Sequence, residues 1–149
     1  MKTLTVQNGD LQLDSGGKLK FERGSSKLIQ DLRLWLQEPL GQGFTTPNFG
    51  STLVTMIGGT IQSGTSVQVQ AEVQRILNLY QTQQLLTLQT YQNLSQLSNW
   101  NKSEIIYSID SVTATPYYTS MNVAVSLTTL AGTKVSINLF INPSGVQVQ

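Results

Sequence analysis

The side chains in this chain with obvious catalytic potential are its eight carboxylates: Asp10, Asp14, Glu22, Asp31, Glu38, Glu72, Glu104 and Asp110. Histidine and cysteine are both absent. That removes the usual general base, the imidazole of a catalytic triad, thiolate metal sites and disulfides. A glycosidase needs two carboxyl groups about 5–9 Å apart across a sugar cleft, and separation along the chain does not say which of the eight would pair. None sits in a recognisable motif, and Glu38, just before Pro39, has the place of a helix-end charge. Asp14-Ser15-Gly16-Gly17 shares its glycines with phosphate loops but lacks the GxxxxGK[ST] spacing, so it reads as a turn. Tyr80, Tyr91 and Trp100 could stack on bases, yet no Lys or Arg surrounds them, and they read as core or interface residues. The expectation is a non-enzymatic protein with no catalytic residue, no metal and no cofactor.

The composition points the same way. With 149 residues the chain fits one domain and can bury a real core. Net charge is +1 and only 11% of residues are charged, so there is no basic field to hold nucleic acid. Residues 76–101 carry no charge, and after Asp110 the only charged residue is Lys134. Such a surface relies on Gln, Asn, Ser and Thr for hydration, which suits a subunit whose faces are covered by neighbours. Met1-Lys2 leads into LTVQNGDLQL, which lacks the apolar core of a signal peptide, and no stretch approaches a membrane span. The expectation is a protein made and kept in a cytoplasm, or released by lysis, with no membrane partner.

The elements follow from periodicity. Residues 3–13 alternate loosely around Asn8-Gly9-Asp10, which predicts an extended arm within residues 1–24, and Lys18 to Arg23 add a short strand. Ser25-Ser26 offers an N-cap for a helix over 27–38, apolar at Leu28, Ile29, Leu32, Trp35 and Leu36, and Pro39 stops it. Ser51 caps a short helix over 51–57, closed by Gly58-Gly59. Val69, Val73, Ile76, Leu77 and Tyr80 begin a long helix over 68–97, with a kink or break expected near 81–84 or after Tyr91. The period then changes to two, predicting strands over 104–113, 121–130 and 134–141. Thr115-Pro116 interrupts the first, and Ala131-Gly132-Thr133 joins the last two. Helices first and sheet last predict an α+β domain with a three-stranded antiparallel meander.

Between the first two helices lie about a dozen residues of irregular backbone. Pro39, Gly41, Gly43 and Pro47 stiffen this connection, Phe49 plugs it into the core, Gly50 permits backbone that a Cβ forbids, and Ser51 leads into Leu53. The stretch reads as scaffolding between helices, with a binding role open at its outer surface. At the other end of the chain, the last strand is poorly defended. Lys134 is its one charge, and Ser136, Ile137, Asn138 and Leu139 form an edge suited to strand addition, unless the arm at 3–13 covers it.

The segment GSSKLIQDLRLWLQEPLGQGFTTPNFGSTL (24–53) resembles the start of the small baseplate wedge proteins of contractile-tailed phages, a family with an old lysozyme label and a counterpart in the bacterial type VI secretion baseplate. The resemblance rests on Leu28-Ile29-Gln30, Leu34 to Leu36, Pro39 to Gly41, and Pro47, Phe49, Gly50, Ser51 and Leu53. Glu72-Val73, Arg75-Ile76 and Tyr80 look like the family's long helix, and Glu104 to Val112 with Val123 to Ile141 look like its sheet. The Glu-Pro-Arg segment by which many members dock on the wedge core has no equivalent after Tyr80. The resemblance implies a structural subunit of a virion tail baseplate, assembled in the host cytoplasm. Its implied partners are other wedge proteins, the tail sheath subunit and tail hub or tube proteins, and its implied role is to template the first sheath ring. A peptidoglycan hydrolase and the type VI secretion subunit are the alternatives.

Overall fold

A computed structural model of the chain describes residues 2–7, 10–42, 47–58, 61–93 and 100–148. The described residues form a mixed α and β fold with three α-helices and three antiparallel sheets. The expected turn at Asn8-Gly9, the loop positions Gly43 and Phe44, Gly59, and the helix end at 94–97 lie outside the described residues.

The N-terminal arm is folded back on itself rather than extended. β1 (Thr3–Leu4) pairs with β4 (Phe21–Glu22), β2 (Val6–Gln7) pairs with β3 (Asp10–Leu11), and Leu13 bridges Leu19. Thr5 N donates to Lys20 O, Lys20 N to Gln12 O, and Gln12 N to Thr5 O, so three strand segments meet in one junction. The Asp14 turn is built as its sequence suggests: Asp14 Oδ1 accepts from the N–H groups of Gly16 and Lys18.

Helix α1 (Gly24–Gln37) buries Leu28, Leu32 and Leu36 completely. It begins earlier than the Ser25-Ser26 cap predicts. Neither serine caps it; the Gly24 N–H instead donates to Glu104 Oε1 at 2.9 Å, from a residue 80 positions away. A carboxylate there complements the positive end of the helix, whichever element supplies it. Helix α2 (Leu53–Ile57) is a single short turn burying Leu53 and Ile57, with Thr52 rather than Ser51 as its N-cap. Helix α3 (Thr65–Asn93) runs 29 residues with no break at 81–84, and the stretch just beyond its end, 94–99, lies outside the described residues. Val69, Val73, Ile76, Leu77 and Tyr80 face the core, while Thr82, Thr87 and Thr90 each donate a hydroxyl back to the carbonyl four residues earlier, which seats them within the helix.

The closing sheet has four strands, not three, in the order β5 (Ile106–Tyr117), β6 (Ser120–Thr129), β7 (Lys134–Asn142) and β8 (Gly145–Val148). The extra strand was hidden by Pro143-Ser144, which forms a two-residue hairpin loop rather than ending the chain's order. Pro116 does not interrupt β5. It lies one residue from the Tyr117–Ser120 pair that closes the hairpin, so its missing N–H faces away from β6, where an edge strand tolerates proline. Register shifts after Ile106 and after Ile109 explain why the sequence alternates poorly there. At the β6–β7 turn Gly132 has φ +79°, as that turn requires. The inner face carries Met121, Val123, Val125, Leu127, Val135, Ile137, Leu139 and Ile141 into one core with the helices. The outer face is left to solvent, with Thr113, Thr115, Asn122, Ala124, Ser136 and Asn138 exposed.

Candidate functional site

The irregular connection after α1 is tied at its neck. Ser51 N donates to Glu38 O at 2.7 Å, Leu40 N to Ser51 O at 2.9 Å, and Ser51 Oγ to Leu36 O at 2.8 Å. Pro39 and Ser51 form a parallel bridge across it. Gly50 has φ +101°, and a Cβ there would lie 2.6 Å from Glu38 O, so only glycine fits this crossing. Phe49 is half-buried rather than a core plug; its ring meets Trp35 edge-on at 4.7 Å, and Trp35 meets Tyr80 at 5.7 Å. Gly41 has φ +84°, and Pro47 is exposed.

Two residues that the sequence did not single out for this role hold the neck to α3. Glu72, 7% exposed, accepts from Arg75 Nε at 2.7 Å, Arg75 Nη2 at 2.8 Å and Thr52 N at 2.9 Å. Arg75 Nη2 also reaches Gly50 O at 3.4 Å. The Arg75 guanidinium holds the Glu72 carboxyl down at about 2, against the opposing effect of burial, and Glu72 in turn raises Arg75. The i,i+3 spacing of Glu72 and Arg75 was the available signal.

Asp31, Asp110 and Glu22 are also occupied by the fold. Asp31 takes Lys27 and the Tyr80 hydroxyl, the latter at 3.0 Å, and burial with the Asp31 charge pushes the Tyr80 phenol far up, so it remains a donor. Asp110 accepts from Thr128 and Ser108, which lower its pKa. Glu22 lies by Thr5 and Lys20. Among the described residues no group of His, Cys, Asp or Glu could hold a metal ion, and no helix is long and apolar enough to cross a membrane.

Glutamine has an unexpected role. Gln84, 5% exposed, donates to Glu104 O at 2.6 Å and accepts from Ile106 N at 3.0 Å. Gln81 Nε2 reaches Ile106 O and Tyr107 O, and Gln70 Nε2 reaches Val112 O. Together they satisfy outward main-chain groups of β5 from α3. Gln30 does the same for the arm, donating to Leu4 O and accepting from Val6 N, and Gln37 donates to Val146 O. These glutamines are structural pairs for strands, not hydration of the surface, as the composition alone suggested.

The predicted docking edge is split by this arrangement. Leu139 pairs with Val148, so β8 covers β7 from Leu139 to Asn142. Lys134 to Asn138 have no strand partner beyond β6 among the described residues. The arm lies against α1, not against this edge. Two independent loops fix which main-chain groups point out. Thr129 N donates to Thr133 O at one end, and Asn142 faces Gly145 across a two-residue loop at the other. Both put the polar main-chain groups of Val135, Ile137 and Leu139 toward β6 and those of Lys134, Ser136 and Asn138 outward. The side chains follow the same alternation: Ile137 and Leu139 are core, while Lys134, Ser136 and Asn138 are exposed.

Compared with known proteins, the chain matches no family model, no curated protein and no solved structure.

Proposed function

We propose that this chain is a non-enzymatic structural subunit of a contractile tail baseplate that seeds the first ring of sheath by accepting a strand. The observation that carries the reading is the open stretch of β7. Other stretches of the sheet's edges are covered: glutamines of α3 lie on Ile106, Tyr107 and Val112 of β5, Gln37 on Val146 of β8, and β8 on β7 from Leu139 onward. An uncovered edge is a template for pairing with another chain. Lys134 is the only charge on it, so five residues can receive an extended segment whose main chain supplies the missing bonds.

Other exposed apolar groups support a subunit covered by neighbours. Leu11, Leu13, Leu19 and Phe21 stand on the N-terminal junction at 44–59% exposure, and Leu85 and Leu86 lie on the uncharged half of α3. The neck at Gly50-Ser51 gives the PNFGSTL motif, on which the resemblance to the wedge family rests most, a physical reason for its glycine and serine. Other wedge proteins and the sheath subunit are the partners of this reading, and its place is the virion.

The test uses tails assembled with Ser136→Pro or Asn138→Pro chains, each lacking one outward N–H. Electron microscopy should show baseplates that contain the chain but carry no ordered sheath. Full sheath on every such tail would remove strand addition as the mechanism. Absence of the wild-type chain from tail particles would remove the baseplate reading itself.

A further inference from the structure

The hairpin joining β5 to β6 ends in Tyr117-Tyr118-Thr119-Ser120, and its geometry is costly. Tyr118 has φ +53° and is the one non-glycine residue with positive φ among the described residues. It is the first of two loop residues between the paired Tyr117 and Ser120, and Thr119 does not share the positive φ. A positive φ at the first position of a two-residue hairpin loop favours glycine. A bulky side chain there strains the turn. The tyrosine gains no burial in return, since it is 87% exposed and Tyr117 is 57% exposed. The tip is nonetheless held in shape. The two rings pack edge to face at 5.0 Å, and buried Ser120 donates its hydroxyl to Tyr117 O at 2.7 Å. A strained position that keeps a rigid, protruding aromatic pair points to a contact outside the fold.

A complementary shape lies on the same sheet face. Thr113, Thr115, Asn122, Ala124, Asn138 and Phe140 are among the residues that line a depression of about 360 Å³, where Ala124 carries the smallest side chain. Neither the tip nor this lining contains a charged residue. Tyr117, Thr115 and Thr113 oppose Ser120, Asn122 and Ala124 across the ladder, so Tyr117, on which the Tyr118 ring packs, shares the outer face with the depression. They are separated by four residues of β6, about 13 Å at strand rise.

We propose that the tyrosine tip of one copy of this chain seats in the Ala124 depression of a second copy. A two-fold axis midway between knob and hollow satisfies both contacts at once, with the outer faces stacked about 10 Å apart and strands running in opposite senses. Charge neutrality on both surfaces means that no ion is desolvated when they meet. The pairing requires no tail component, so it stands or falls separately from the baseplate reading.

Sedimentation of the purified chain over rising concentration tests it. The weight-average mass should climb from 16.4 kDa toward twice that value. Tyr118→Gly, which removes the knob and relieves the turn, should stay monomeric while its unfolding midpoint holds or rises. Ala124→Arg, at an exposed site, should also stay monomeric because it fills the hollow. Mixed together, the two variants should associate again, since one still has the tip and the other still has the depression. A wild-type chain that is monomeric throughout overturns the proposal and leaves the tip to a different protein. Association that survives in both variants, or that fails to return on mixing, overturns the tip-in-hollow contact.

Discussion

The two edges of the closing sheet solve the same problem differently. Along β5 the outward carbonyls and N–H groups meet side chains of α3: Gln70 at Val112, Gln81 at Ile106 and Tyr107, and Gln84 at Ile106. Along β7 the half nearest the β7–β8 hairpin meets β8, and the half from Lys134 to Asn138 meets nothing among the described residues. The difference teaches where exposure is tolerated. Both edges carry unpaired main-chain groups, yet only one is closed by buried polar side chains whose loss would strand those groups. A closed edge belongs to the fold, and an open one is available for assembly.

The strongest way to break the contrast is proline on the inner ladder. Ile137→Pro removes an N–H aimed at β6 and a completely buried side chain. A lost ladder bond and a vacated core site together should cost about 4 kcal/mol or more, enough to unfold much of a domain of ordinary stability. Loss of the cooperative thermal transition by circular dichroism is the expected result. A well-folded Ile137→Pro chain would show that the register places this N–H outward.

Next in size is the closure of β5. Gln84→Leu keeps the volume but strips partners from Glu104 O and Ile106 N, both beside residues almost fully buried. Leaving two buried main-chain groups unsatisfied should cost about 2–4 kcal/mol. Gln81→Ala, a half-exposed contact, should cost about 1 kcal/mol or less in the same denaturant titration. Equal effects at the two positions would mean that burial, not bonding, governs this edge.

The sequence made some of this legible and concealed the rest for physical reasons. The core faces of α1 and α3 and the alternation of β6 and β7 were readable because burial imposes a period, as at Leu28, Leu32 and Leu36 or at Val123, Val125 and Leu127. Strand β8 was not, because Gly145-Val146-Gln147-Val148 is short and follows a proline. The start of α1 was misplaced because its terminal N–H finds Glu104, and no local pattern announces a partner 80 residues away. The buried glutamines were hidden by their ordinary role as surface residues. Of the docking edge, Lys134, Ser136 and Asn138 were readable as exposed positions; that Leu139 is covered depended on the unseen strand.

The neck after α1, which Glu72 and Arg75 hold to α3, should in addition be sensitive to acid. Glu72 has its carboxyl held at about 2 in the fold against an ordinary 4.5, chiefly by Arg75. A depressed carboxylate stabilises the fold above its unfolded pKa, and that contribution fades as pH falls from 4.5 toward about 2. The shift corresponds to at most about 3 kcal/mol. Unfolding free energy measured by denaturant titration should therefore fall across this window, and Glu72→Gln should lose much of that slope. Identical slopes in the parent and in Glu72→Gln would show that the clamp on the Gly50-Ser51 neck contributes no pH-dependent stability.

The smallest expected effect sharpens the comparison most. Ser136→Pro removes an N–H that points away from β6 and a side chain that packs against nothing in the core. Proline is tolerated at such edge positions, so the cost should stay under about 1 kcal/mol, against unfolding at the adjacent Ile137. Asn138→Pro sits on the same outward set and should behave alike. The pair 136 and 137 thus reads out the direction of single N–H groups one residue apart. If Ser136→Pro proved as damaging as Ile137→Pro, the outward groups of this strand would be bonded within the fold and no edge would be open to a partner. If it is nearly silent in isolation, the N–H it removes is free in the folded chain, which is the condition strand addition requires. Any loss of assembly in that variant would then be assigned to the edge itself, because its fold is unchanged.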